Sequence, residues 1–141
     1  MSSTAGQPGS SPVASRLGLS PGQVVQELGW DADVDDDLRL QIEDAVDGEL
    51  VEEAVEAVDV VLLWWRAEDG DLVDGLVEAL PDLGAGGYIW LMTPKVGRPG
   101  YVVAAELSEA AVTAGLAQTV SVAVSTDWAA TKLVRPRGTR R

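Results

Sequence analysis

The chain reads as an α/β domain whose mostly parallel sheet ends in an antiparallel hairpin. Three observations predict this. Val58 to Trp65 is an unbroken β-rich run of the kind that a parallel sheet buries on both faces. Stretches with apolar residues at helical spacing alternate with such runs. Near the end, Ala117 to Ser125 and Trp128 to Val134 are separated only by the turn residues Thr126-Asp127, which pairs them as a hairpin. Strands alternating with helices place helices on both sheet faces, a three-layer, Rossmann-like architecture. The length of 141 residues matches one domain able to bury a core without disulfides or metal.

Residues 1–11 are small and polar, lack the basic and apolar regions of a signal peptide, and read as a disordered tail ahead of a single domain over 12–136. Val13, Leu17 and Leu19 form a short docking helix ending near Gly18, and Ser20-Pro21-Gly22 is a turn. Gln23 to Leu28 is the first strand and leads into Gly29-Trp30. The acidic run Asp31 to Asp37 caps a helix with Leu38, Ile42 and Val46 on one face, stopped by Asp47-Gly48. Glu49 to Val51 is a short strand, followed by acidic helical residues to Ala57. After the Val58–Trp65 strand, Asp69 to Leu83 is an amphipathic helix striped by Leu72, Val73, Leu76, Val77 and Leu80. Gly84 to Gly87 turns the chain into a third strand, Gly87 to Met92. Thr93 to Gly100 is a loop, because two prolines and two glycines oppose regular structure. Val103 to Ala114 is a helix with Leu107, Ala111 and Ala114 inward, and the hairpin completes the sheet.

A parallel sheet closed by an antiparallel hairpin is also the plan of S-adenosylmethionine-dependent methyltransferases, here in shortened form. That is an analogy of architecture and carries no activity with it.

Composition removes whole classes of chemistry. The chain has neither cysteine nor histidine, so Ser-His-Asp and Cys-His catalysis, thiolate zinc sites and disulfides are excluded. The net charge is −13, and 19 of the 23 acids fall between Asp31 and Asp82. A body this acidic repels duplex DNA and favours basic or apolar partners. The bases instead cluster at the end, and residues 137–141 read as a basic tail. No run reaches the roughly 20 apolar residues of a membrane span.

Several segments resemble a known family: Ser11 to Leu28, the Val58 to Arg66 strand, Gly87-Tyr88-Ile89-Trp90-Leu91-Met92-Thr93-Pro94-Lys95, and Asp127-Trp128. On these, the chain resembles an actinobacterial family catalogued as a domain of unknown function, number 3052. The resemblance spans about Pro12 to Pro136. It implies this fold class and a cytoplasmic bacterial setting, and brings no activity, cofactor or catalytic residue.

In open α/β sheets, ligands bind beyond the carboxyl ends of the strands. Three strand ends are legible: Gly29-Trp30-Asp31, Trp65-Arg66 and Thr93-Pro94-Lys95. If these strands are adjacent, Trp30 and Trp65 are placed to stack on a planar ligand, and Arg66 or Lys95 to hold an anion, with Asp31 and Thr93 beside them. The alternative is that the tryptophans cover the sheet end and the bases pair with nearby Asp residues. A methyltransferase cofactor needs a glycine-rich turn after the first strand and an acid ending the second. Glu27-Leu28-Gly29-Trp30-Asp31 offers one glycine, with Trp30 filling the space of another, and Glu49-Leu50-Val51-Glu52 is a weak second strand. There is no phosphate loop. The Asp31–Asp37 run fails the calcium-loop pattern, since Asp36 and Ile42 stand where Gly and Glu belong. Trp64 and Trp90, inside strands, are assigned to packing between the layers.

These readings name no catalytic residue, no cofactor and no metal. They point to a non-enzymatic binding or regulatory domain acting through contacts with another protein, and leave a homo-oligomer open. Two alternatives stand: a small-ligand-binding protein using the strand-end crevice, and a divergent S-adenosylmethionine-dependent methyltransferase.

Overall fold

The computed structural model describes residues 16–136. The expected tails over 1–11 and 137–141, and Val13 of the docking helix, lie outside the described residues. The elements run β1 (Val25–Leu28), α1 (Asp36–Val46), β2 (Val58–Trp64), a 3₁₀ turn (Ala67–Asp69), α2 (Leu72–Ala79), β3 (Leu83–Pro94), α3 (Ala104–Thr113), β4 (Ala117–Ala123) and β5 (Trp128–Val134). They form one five-stranded sheet in the order β1-β2-β3-β5-β4. β1, β2 and β3 are parallel neighbours, as the expected crevice requires, with Leu62 opposite Trp90 and Leu28 opposite Leu63. β5 runs antiparallel to both β3 and β4, so the hairpin inserts its second strand next to β3.

Two apolar layers flank the sheet. On one face Leu38, Ile42 and Val46 of α1 pack with Val60, Leu62, Trp64, Trp90 and Met92. Leu17, helical with Arg16 and 1% exposed, joins this face, where its carbonyl accepts a hydrogen bond from Trp90 Nε1 at 3.1 Å. On the other face Leu72 and Leu76 of α2 and Leu107, Ala110 and Ala111 of α3 pack with Val61, Leu63, Ile89, Leu91 and Leu133. The alternation along each strand sends successive side chains into the two layers.

Local chemistry sets the boundaries. Asp35 caps α1 by accepting from the Leu38 amide at 3.0 Å. Asp47, at φ 57°, ends it in the left-handed conformation that short polar side chains tolerate. Asp71 caps α2 through the Val73 amide. Pro81 has no N–H to extend the ladder, so α2 stops at Ala79 with Leu80 as its C-cap. The helix expected over Asp69 to Leu83 is therefore shorter, with a separate 3₁₀ turn ahead of it.

Three further expectations are corrected. Gly84 to Gly87 belongs to β3: the pairing jumps from Val58–Leu83 to Val60–Tyr88, and the glycines form the bulge that absorbs the extra residues. Thr93 and Pro94 also belong to β3, which runs to the end of its pairing with Trp128. Pro94 fits because it closes the strand. Glu49 to Val51 is reduced to one parallel bridge, Gln26 with Val51, and Glu52 to Ala57 is not helical. That segment consists of three acids, two alanines and one valine, so it has no apolar stripe to dock a helix.

The Val51 bridge fixes the topology. Val51 exchanges hydrogen bonds with the outer edge of β1, through Val51 N to Val25 O and Glu27 N to Val51 O. The chain then crosses to β2 on the other side of β1. Connections leave β1 in opposite directions, so the carboxyl ends of β1 and β2 flank a topological switch point, where open α/β sheets place their ligand crevice.

Candidate functional site

The switch point is occupied by the protein's own Arg66. This residue follows β2 and is 6% exposed. Its guanidinium and stem meet all three loops beyond the parallel strands. From the loop after β1, Nη1 donates to the Gly29 carbonyl at 2.8 Å and Nε donates to Asp33 Oδ2 at 2.9 Å, while Nη2 forms an ion pair with Asp33 Oδ1. Nη1 also reaches Asp69 in the 3₁₀ turn after β2, at 3.3 Å. From the loop after β3, Gly100 packs on the stem of Arg66, and its carbonyl accepts from the Ala67 amide at 2.9 Å.

Aromatic groups close the side of this cluster. The guanidinium carbon sits 5.3 Å from the ring centroid of Trp128, within cation–π range. Trp128 is edge-on to Trp64 at 4.8 Å, and its Nε1 donates to the Asp33 carbonyl at 3.2 Å. Gly29, at φ 79°, is the close-approach point: a Cβ there would lie 2.2 Å from the Trp64 carbonyl oxygen. The single glycine of the β1 turn thus serves β1–β2 packing.

Electrostatics match this geometry. The hydrogen bonds from Arg66 hold the Asp33 carboxyl below the usual range, against the opposing effect of burial. For Arg66 itself burial opposes the charge, yet Asp33 and Asp69 outweigh it and the pKa lies above the ordinary guanidinium value. A charge-satisfied, stacked arginine at this position is a clamp joining three loops.

A second buried charge lies beneath it. Glu27 at the end of β1 is 5% exposed and accepts both Nε and Nη2 of Arg39 at 2.7 Å, plus Trp64 Nε1 at 2.9 Å. The bidentate pair and the indole satisfy the carboxylate, which therefore ties α1 to β1 and β2.

The sequence-derived candidates are distributed as follows. Arg66 is central and Asp31 is exposed, accepting from the Ala32 amide. Trp30 is 56% exposed, whereas Trp65 packs on α2 against Gly75, so the two indoles serve different surroundings. Thr93 and Lys95 line a cavity between the start of α3 and the hairpin. Sequence reasoning misses Asp33, Asp69, Trp128 and the Glu27–Arg39 pair as members of the site. The only sequence signal for Asp33 is the excess of acids before α1, and that cannot say which one faces Arg66. Beside the clamp, Asp33, Pro94, Arg98, Asp127 and Trp128 line a hollow of about 230 Å³, where Arg98 pairs with Asp127 at 3.0 Å. Arg135, near the basic end, is docked: its guanidinium donates to the Leu83 carbonyl at 2.9 Å, beyond the end of α2. No helix among the described residues is long and apolar enough to cross a membrane.

Comparison with known proteins gives family and fold. Residues 14–137 match the model of a family described as "Protein of unknown function (DUF3052)". The uncharacterised protein Rv2239c of Mycobacterium tuberculosis is 53% identical over 125 residues, covering 88% of this chain and 78% of that protein. A protein of Mycobacterium bovis shows the same identity and coverage. Among solved structures, the CcbJ methyltransferase of Streptomyces caelestis superposes with a TM-score of 0.58 at 12% identity, covering 90% of this chain and 89% of that one. A putative methyltransferase of Thermoplasma acidophilum gives 0.59 at 10% identity, covering 91% and 76%. A methyltransferase of Thiobacillus denitrificans, in complex with S-adenosyl-L-homocysteine, gives 0.57 at 11% identity, covering 91% and 93%. At these identities the likeness is one of fold.

Proposed function

The chain belongs to the DUF3052 family and has a methyltransferase-type Rossmann fold, and from that premise we propose that it is a non-enzymatic binding or regulatory module acting through protein contacts. The observation that carries this reading is the Arg66 clamp. In open α/β proteins the switch-point crevice is where a cofactor sits, and here a buried guanidinium with satisfied partners takes that space. Two features of the backbone point the same way. Gly29 is followed by Trp30 where a cofactor turn needs open backbone, and the strand beyond β1 that would carry a ribose-binding acid is a single bridge at Val51.

The rim supports a role in protein contact. Trp30 is 56% and Val96 73% exposed, both on loops at the carboxyl end of the parallel strands. Exposed tryptophan is a residue type enriched at interface hot spots. The net charge of −13 selects a partner with a basic or apolar face. The test compares wild type with Trp30→Asp/Val96→Asp as bait in an actinobacterial lysate, followed by binding of the purified captured protein. The expected result is a stoichiometric protein complex that the double variant loses while keeping its melting temperature. Equal capture by both baits, or no partner with wild type, overturns the reading.

A further inference from the structure

We infer a second site: the cavity between the N-terminus of α3 and the hairpin binds a small anion, a carboxylate or phosphate group. It is separate from the Arg66 clamp and does not rest on the protein-contact reading. The cavity has a volume of about 240 Å³, enough for a small acid group.

Four observations converge on it. First, Thr93 lines the cavity from β3 and is 6% exposed, and its hydroxyl has no partner among the described residues. Its side chain lies on the α3 side of the sheet, in register with Ile89 and Leu91. A buried hydroxyl left unpaired is costly unless something else in the cavity satisfies it. Second, α3 begins at the cavity without a side-chain cap: its N-cap is Val103, and Ala104 lines the space. The amides of its first turn are therefore free donors at the positive end of the helix.

Third, the remaining polar lining is rich in donors. Ser121 and Thr131 share one hydrogen bond at 3.3 Å, which leaves a second hydroxyl proton to give. Ser108 donates to Oε1 of Gln118, so the Gln118 amide nitrogen is also available. Fourth, the charge is reversed relative to the rest of the molecule. In a chain with 23 acids none lines this cavity, and its one charged side chain is Lys95, which forms no ion pair among the described residues. Glu106, in the first turn of α3, is exposed and outside the lining.

The test is an NMR amide titration of the full chain with inorganic phosphate and, separately, sodium acetate, at constant ionic strength with chloride as the control. The site predicts saturable shifts at Ala104 to Glu106 and at Thr93 and Thr131. Thr93→Val keeps the shape and removes the hydroxyl, and should weaken binding about tenfold without lowering the melting temperature. Lys95→Gln, at the partly exposed rim, should weaken it several-fold. Saturation by phosphate alone assigns a phosphate-bearing ligand, and saturation by acetate a carboxylate. Shifts that do not saturate, that chloride reproduces, or that both variants retain unchanged overturn the site.

Discussion

Replacing Arg66 with alanine opens the switch point, and the cost follows from what the guanidinium holds. The variant gives up a bidentate bond to Asp33, the bond to the Gly29 carbonyl, the ion pair with Asp69 and the stacking on Trp128. Breaking a buried pair from one side costs about 3–5 kcal/mol when the remaining charge stays buried. Here the side chains of Asp33 and Asp69 are 53% and 31% exposed, so water takes over much of their solvation. Gly29 is likewise exposed, so the larger cost is the lost packing of the buried Arg66 stem on Gly100 and of its guanidinium on Trp128, which brings the expected destabilisation to about 2–3 kcal/mol. For a domain of this size that lowers the melting temperature by roughly 10 °C. Calorimetry of wild type and variant at pH 7 measures it. Repeating the pair in acid adds a signed test. Arg66 depresses the Asp33 pKa, so this share of stability is fully present above the carboxylate's unfolded value. It disappears as pH falls through the lower native pKa, and the gap between wild type and variant should narrow there. A destabilisation under about 1 kcal/mol at pH 7, or a gap that widens in acid, refutes the clamp.

Other perturbations separate packing from function. Gly29→Ala places a Cβ against the Trp64 carbonyl at positive φ and should cost at least ~2 kcal/mol, read by denaturant unfolding. Arg39→Met leaves the buried Glu27 carboxyl held by Trp64 alone, for an expected loss of about 3 kcal/mol in the same assay. Leu17→Ala removes a fully buried side chain from the α1 face and should cost about 2–4 kcal/mol, which would show that the segment before β1 is part of the core. Trp30→Ala, by contrast, should change stability by less than about 0.5 kcal/mol, because the residue is already more than half exposed.

The parts of the fold readable from the sequence are those governed by local pattern. Val58 to Trp64 is almost continuously apolar because β2 is central, and Leu38, Ile42 and Val46 repeat at helical spacing because one face of α1 meets the sheet. The hairpin is legible from Thr126-Asp127, but its insertion with β5 next to β3 is not, since strand order depends on pairing between segments distant in sequence. The glycines 84, 86 and 87 look like a turn and act as a bulge; only the pairing with β2 distinguishes the two. At the site, position is legible and occupancy is not. The loops after the three parallel strands meet at Arg66, whereas Trp65 packs on α2 and Thr93 and Lys95 line a separate cavity. The internal pairing of Arg66 involves Asp69 nearby and Asp33, 33 residues away along the chain, which local pattern does not single out.

If the switch-point crevice is filled from within, it has no room for the cofactor that this fold otherwise carries there, and isothermal titration of S-adenosyl-L-homocysteine into the intact protein tests this most directly. The prediction is no saturable heat up to millimolar ligand, together with an unchanged melting temperature. A 1:1 isotherm with a micromolar dissociation constant, abolished by Gly29→Ala in protein that remains folded, would contradict it.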